Sequence, residues 1–298
     1  MSEATPPPGL SPGGRFDAWR PTPVRYVVCD VDGTLIGPQE LATQPVVGAI
    51  RRAMDAGIRV GYATGRMRDG VAALQDQLAA DGPHILHNGA EVRAEGTTVA
   101  AWSLTPAQVD DVLAIARAHE DVYVEVYATS GFHVSSWDER ARVHWDLLRT
   151  EPLSVVERAA DLGDALVPKA TFTAFTDTAQ RWLDDQLSEL DAELGSAGSP
   201  RTPGLVFTNV NQPGATKGAA LALAAEHLGV PLSAVAAVGD AANDRSMLEV
   251  VGTAIAMGQA SQPIRDIAHL VTATVEEDGL AVALDGLVAA AQPLPGSW

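Results

Sequence analysis

Tyr26-Val27-Val28-Cys29-Asp30-Val31-Asp32-Gly33-Thr34-Leu35 is the stretch on which the reading of this chain turns. Its first four residues form an apolar run short enough for a buried strand. The run ends on two carboxylates one residue apart and then a glycine turn. Charges so close together call for a neutralising partner, and a hard divalent cation, which prefers oxygen ligands, is a natural one. A calcium loop of the EF-hand type is excluded. Its fifth position would be Thr34 and its sixth Leu35, where an oxygen-bearing acid or amide and then a glycine are required.

The chain around this stretch has 298 residues, 46% of them apolar, enough for one large α/β domain or two modest ones. No apolar run approaches the length of a membrane span, and the first residues lack the pattern of a secretory signal. Cys29 is the only cysteine, so no intrachain disulfide is available, and a reducing cytoplasm is the expected compartment. A formal net charge of −18 argues against a nucleic-acid backbone as partner. Small anionic substrates stay open, because a local cation overrides the global field.

Outward from the quoted strand, strand and helix patterns alternate. Residues 1–23, rich in proline and glycine, are expected to form a disordered tail. Helices are predicted over 45–56 and 71–80, with strands over 58–63 and 84–87. That rhythm means a parallel sheet with right-handed crossovers. Residues 91–210 have another texture and hold four of the six tryptophans. Alternating strands at 122–127, 132–135 and 171–175 and helices at 106–119 and 178–194 suggest an α+β insert with an antiparallel sheet. Residues 195–204 read as a loop. The α/β rhythm returns with a helix over 217–228 and strands at 235–238, 254–257 and 269–271. The expected architecture is a Rossmann-like α/β core (24–90 and 211–298) interrupted by an inserted α+β cap (91–210).

Four clusters fall at the carboxyl ends of core strands or at a helix start, where ligands of open α/β sheets bind. They are Asp30/Asp32, Thr64-Gly65-Arg66, Lys217 after Gly214-Ala215-Thr216, and Gly239-Asp240-Ala241-Ala242-Asn243-Asp244. Singly, each is a turn, a helix cap or a solvated lysine. In this order and at these places they form one constellation.

With these residues the sequence resembles the haloacid dehalogenase-like superfamily of phosphohydrolases, most closely its Cof-type branch with a type IIB α+β cap. His87-Asn88-Gly89-Ala90 and Glu277-Asp278-Gly279-Leu280-Ala281 also match that branch. The resemblance covers about 24–290. It implies a Mg²⁺-dependent phosphatase of small phosphorylated metabolites, sugar phosphates or nucleotide-related phosphomonoesters, with the cap closing over the site. Asp30 would be the nucleophile that becomes an aspartyl phosphate, and Asp32 the acid and base. Mg²⁺ would take the Asp30 carboxylate, the Asp32 backbone carbonyl and the Asp240 carboxylate, with Asn243 and Asp244 behind them. Thr64 and Lys217 would bind phosphoryl oxygens, and Gly65, Arg66 and Asn88 are candidates for substrate contact, with a structural ion pair to a carboxylate an equal reading of Arg66. These roles suit the chemistry, since a phosphate monoester repels an anionic nucleophile and has a poor leaving group. A cation and a proton donor answer those two obstacles.

A phosphotransferase or phosphomutase shares this machinery and stays open as an alternative, as does a non-catalytic phosphometabolite-binding regulator. An oxidoreductase is disfavoured, because no Gly-x-Gly-x-x-Gly follows the first strand. Cys29 reads as a buried core thiol and His84 and His87 as packing residues; Trp137, His144 and Trp145 read as the insert's core before a sugar platform, and Lys169 as a solvated lysine before one that reaches the substrate. Asn209-Val210 stands where the branch often has glutamate-isoleucine, which weakens any carry-over of substrate preference.

Overall fold

The computed structural model describes residues 5–129, 131–148, 150–198 and 205–291. The first part of the chain forms β1 (Ser11–Pro12), β2 (Tyr26–Asp30), α1 (Gln44–Asp55), β3 (Arg59–Ala63), α2 (Ala72–Leu78), β4 (His84–Leu86), β5 (Glu91–Ala94) and β6 (Thr97–Ala101). The middle forms α3 (Pro106–Arg117), β7 (Val122–Ala128), β8 (Gly131–Val134), α4 (Arg142–Leu148), β9 (Lys169–Ala174), α5 (Asp177–Ser188), β10 (Glu193–Gly198) and β11 (Val206–Asn211). The last part forms α6 (Lys217–His227), β12 (Val235–Gly239), α7 (Arg245–Val250), β13 (Thr253–Ala256), α8 (Gln262–Ile267), β14 (Leu270–Val271) and α9 (Gly279–Ala291). Two compact units result, 1–100 with 216–298, and 101–215. No helix among the described residues is long and apolar enough to cross a membrane.

The first unit is an α/β fold on a nine-stranded sheet of order β1-β14-β13-β12-β2-β3-β4-β5-β6. Strands β14 to β4 in that order run parallel, and β5 turns back antiparallel to β4. Every residue of β2 is buried, as in a strand covered on both faces. Complete burial of Val27 and Val28 stabilises by roughly 1.5–3 kcal/mol each. From β2 the chain winds one way through β3 and β4, then returns after the insert to wind the other way from β12. The direction of winding therefore reverses between β2 and β12, and the crevice at such a reversal is where open sheets bind ligands.

α1 shows how the sequence writes one of the flanking helices. Thr43 caps its start, accepting from the Val46 N–H at 3.4 Å, with Pro45 in the first turn. Val46, Val47, Ile50 and Ala53 form its buried stripe. It packs against α9, and Arg52 and Asp285 join the two across their exposed edge at 2.8 Å.

Two expectations about the first unit need correction. From residue 5 onward the proline-rich segment is a packed arm, not a disordered tail. Ser11 pairs with Val271 at the sheet edge, Trp19 is 3% exposed, and its indole N–H donates to Thr253 Oγ1 at 3.1 Å. The large apolar surfaces of Leu10 and Trp19 outweigh the local composition. The core sheet also continues through β5 and β6, so the division falls at 100/101 and 215/216 and not at 90/91 and 210/211.

The second unit is an antiparallel sheet of order β10-β11-β9-β7-β8. α3 and α5 cover one face through Val109, Val112, Leu113, Leu183 and Leu187 against Val124, Val126, Ala170 and Phe172. Residues 193–198, read from sequence as the end of a helix and the start of a loop, form the edge strand β10 paired with β11. Pairing to an existing strand overrode the weak local preference of this small-residue run. Residues 199–204 lie outside the described residues.

The opposite face of that sheet carries Tyr123, Glu125, Tyr127, Lys169 and Thr171. Lys169 is buried and not solvated, its ammonium 4.2 Å from the centre of the Tyr127 ring. Burial lowers its pKa to about 8, against the pull of Glu125. Trp145 is buried and donates to the Tyr123 hydroxyl at 2.9 Å, and His144 lies 2.8 Å from Glu125. Trp137 corrects the expectation for this group, since it is 60% exposed and meets Trp145 edge-on.

Candidate active site

Asp30 ends β2 and Asp240 directly follows β12, the two strands on either side of the winding reversal. Thr216 caps α6, accepting from the Ala219 N–H at 3.1 Å, which places Lys217 at the helix start. The Lys217 side chain is wholly buried. Its ammonium donates to Asp30 Oδ1 at 2.5 Å and to Asp244 Oδ1 at 2.7 Å. The other oxygen of Asp244 accepts the backbone N–H groups of Asp240 and Ala241, at 2.9 and 3.0 Å. Both oxygens of Asp244 are thereby engaged in building the loop.

Burial and the charge of Asp244 push the Asp30 carboxyl well above its ordinary range, with Lys217 pulling the other way. Burial alone would push the Lys217 ammonium down, but Asp244 and Asp30 outweigh it and hold it above its ordinary value. Burial and Asp244 push Asp240 up to about 6, against Gln259, Lys217 and Thr34. Three carboxylates thus share one ammonium, leaving an excess of negative charge in a dry place.

Oxygens of Asp30, Asp240 and Asp244 lie within 4.8 Å of one another. Hard oxygen donors, uncompensated charge and engagement of Asp244 elsewhere fit a divalent cation held by Asp30 and Asp240. The Asp32 side chain stands outside that group, 59% exposed, and only its backbone carbonyl was expected at a metal.

Asp32 is instead gripped by Arg66, whose Nη2 and Nε donate to its two oxygens at 2.5 and 3.0 Å. Arg66 also donates to the Gly70 carbonyl at 3.1 Å. Thr64 is buried, and its hydroxyl accepts from the Arg66 N–H at 3.1 Å. Asn88 accepts from the Asn243 amide at 3.2 Å, and Gly65 lies against the same Asn88 side chain. The predicted residues therefore gather in three groups: Lys217 with Asp30, Asp244 and Asp240; Arg66 with Asp32; and Asn88 with Asn243, Gly65 and Thr64, whose carbonyl accepts from the Asn88 N–H.

Gln259, just after β13, joins the site without belonging to any of the sequence clusters. Its amide donates to the Gly33 carbonyl at 2.6 Å and reaches Asp240 Oδ2 at 3.3 Å, while its oxygen accepts from the Val275 N–H at 3.1 Å. It follows a core strand, the same signal that singled out the other clusters. Gly33 itself has φ of +88°, and a Cβ there would overlap the Asp240 carboxylate, so glycine is required. Cys29 is buried, as its alternation suggested, and burial and Asp30 raise its pKa.

Comparison with known proteins fits this geometry. The sequence profile of haloacid dehalogenase-like hydrolases matches residues 27–284. The chain belongs to the haloacid dehalogenase-like hydrolase family. This hydrolase is 26% identical over 290 residues to the 5-amino-6-(5-phospho-D-ribitylamino)uracil phosphatase YwtE of Bacillus subtilis, covering 89% of this chain and 98% of that one. It is 29% identical over 250 residues to the HMP-PP phosphatase of Cronobacter sakazakii, covering 81% and 87%. Among solved structures it is similar to a phosphatase of the haloalkanoate superfamily from Bacteroides thetaiotaomicron, with TM-score 0.74, 26% identity and coverage of 89% and 96%. A subclass IIB sugar phosphatase shares the fold, with TM-score 0.75 at 22% identity and coverage of 89% and 100%.

Proposed function

We propose that this haloacid dehalogenase-like hydrolase is a Mg²⁺-dependent phosphatase that cleaves small phosphomonoesters through an aspartyl phosphate. The observation that carries the reading is the buried Lys217 ammonium held between Asp30 and Asp244, with Asp240 beside them. Asp30 and Asp240 would hold Mg²⁺, and the ion would supply positive charge that lets an anionic nucleophile approach an anionic phosphate.

The protein's own residues account for the rest. Lys217 fixes the Asp30 carboxylate by one oxygen and leaves the other to attack phosphorus. The ester P–O bond breaks with its electron pair on the leaving oxygen, and Asp32 delivers a proton there. Water then attacks phosphorus, Asp32 accepts its proton, and phosphate leaves Asp30. Thr64, whose hydroxyl accepts from the peptide at Arg66, keeps its own proton to donate to a phosphoryl oxygen. Because Arg66 occupies both oxygens of Asp32 in this structure, proton delivery requires it to release at least one.

A sugar phosphate or nucleotide-related monoester in the cytoplasm is the substrate class this reading takes. Its support is the company of the relatives, one named for a phosphoribitylamino-uracil and one for HMP-PP. The test is phosphate release from a panel of small phosphomonoesters, with and without Mg²⁺, beside Asp30→Asn. Metal-dependent release lost in the variant is the expected outcome. Release that persists in Asp30→Asn would sink the nucleophile assignment.

A further inference from the structure

Three of the site's loops converge on one short turn, His87-Asn88-Gly89, directly after β4. All three residues have left-handed backbone, with φ of +52°, +59° and +112°. Such a run is unfavourable for any residue but glycine and persists only where the surroundings impose it. Asparagine is among the few residues that tolerate it.

The surroundings are specific. The His87 N–H donates to the Arg66 carbonyl at 3.1 Å and the Asn88 N–H to the Thr64 carbonyl at 2.9 Å. Two successive peptide donors therefore fasten the turn to the loop that carries Thr64. The Asn88 side-chain oxygen accepts from Asn243 Nδ2 at 3.2 Å, inside the segment between Asp240 and Asp244. Gly89 lies on the Thr216 carbonyl and the Lys217 N–H so closely that a Cβ would overlap both. A Cβ on Gly65 would come within 2.9 Å of the Asn88 amide. One turn thus touches the loops of Thr64, Lys217 and Asp240.

We propose that Asn88 is a positioning residue: its side chain holds the Asp240–Asp244 loop through Asn243, its backbone N–H fastens it to the Thr64 loop, and its left-handed backbone sets the angle between the two. The sequence suggested a substrate contact here; in this structure the Asn88 oxygen accepts from Asn243. The kinetic part of the inference rests on the phosphatase reading; the structural part does not.

Asn88→Gly in the full chain separates positioning from folding. Glycine accepts φ of +59° freely, which offsets the lost side-chain bond and the added freedom of the unfolded chain, so the melting temperature should stay close to that of the unaltered protein. The tie to Asn243 is lost, so hydrogen exchange in 239–245 should quicken without any metal present. Mg²⁺ affinity by calorimetry should weaken and kcat fall, each about tenfold, with KM unchanged. Asn243→Ala should reproduce these changes, and the double variant should be no worse than either single one, because both remove the same bond.

Unaltered exchange in 239–245, or additive losses in the double variant, would overturn the proposal. A raised KM with kcat retained would do so too, by placing Asn88 against the substrate. If the unaltered protein hydrolyses no ester, the phosphatase reading falls, and the exchange measurements still decide whether Asn88 positions the loop.

Discussion

The ammonium of Lys217 lies 2.5 Å from Asp30 Oδ1, with 0% of the lysine side chain and 7% of the aspartate side chain exposed. A contact this dry is costly to break, because removing one partner strands the other's charge away from water. Lys217→Met is expected to abolish phosphate release and to destabilise the fold by about 3–5 kcal/mol in urea unfolding. A variant that loses activity at unchanged stability would mean that Asp30 and Asp244 are not charged as a pair around Lys217.

The same excess of carboxylate charge predicts a stabilising cation. Mg²⁺ at about a hundred times its dissociation constant should stabilise the protein by about 2.7 kcal/mol, read as a rise in melting temperature that a chelator reverses. Asp240→Asn should remove most of that rise. A full Mg²⁺ response in Asp240→Asn would place the ion elsewhere.

Gln259 joins the Gly33 carbonyl to Asp240 and to the Val275 peptide. Gln259→Ala should lower kcat about tenfold by loosening the turn after Asp32, with little change in melting temperature because the residue is exposed. Gln259→Glu should not restore activity, since a carboxylate cannot donate to the Gly33 carbonyl. Restoration by glutamate would show that only the bulk of the side chain matters.

His84 stacks on Tyr62 with ring centres 4.0 Å apart, and burial lowers its pKa to about 4. Its folded value is depressed below the unfolded one near 6.5. Between those values the unfolded chain takes up a proton that the folded protein refuses, so stability falls as pH drops from about 6.5 to about 4. The loss amounts to roughly 3 kcal/mol at most. Urea midpoints of His84→Gln should decline less steeply over that range than those of the unaltered protein; parallel declines would contradict the buried neutral imidazole.

The N-terminal arm gives a prediction far from the chemistry. Trp19 is buried and hydrogen-bonded to Thr253, so Trp19→Ala should cost about 3–5 kcal/mol. A loss under about 0.5 kcal/mol would mean that the arm contributes little.

The gathering of Asp30, Asp240 and Lys217 in one place was legible in the sequence, because charged residues at strand ends and helix starts of an open α/β sheet fall along one edge of it. The alternation of strand and helix patterns likewise pointed to a parallel sheet, though not to the order of its strands. What stayed hidden depended on partners distant in the chain. Nothing local in residues 11–19 announces pairing with 270–271 or a tryptophan bonded to Thr253. Nothing in Glu193–Gly198 marks a strand until β11 lies beside it. Arg66 could have met a substrate or a carboxylate, and only three-dimensional proximity selects Asp32. The burial of Lys169 depends on a sheet face whose neighbours come from two strands.

The pairing of β2 with β12 has a consequence for synthesis. A nascent chain that has emerged only as far as β11 contains Asp30 but leaves one whole edge of β2 without a neighbour. That edge is apolar and offers free peptide groups, the kind of surface that draws strands from other molecules. The ribosome must deliver the chain through α6 before Lys217 meets Asp30, and through β12 before the central strand is closed. Until then the chain is both inert and sticky, and chaperone demand during translation should peak in the interval before β12 appears.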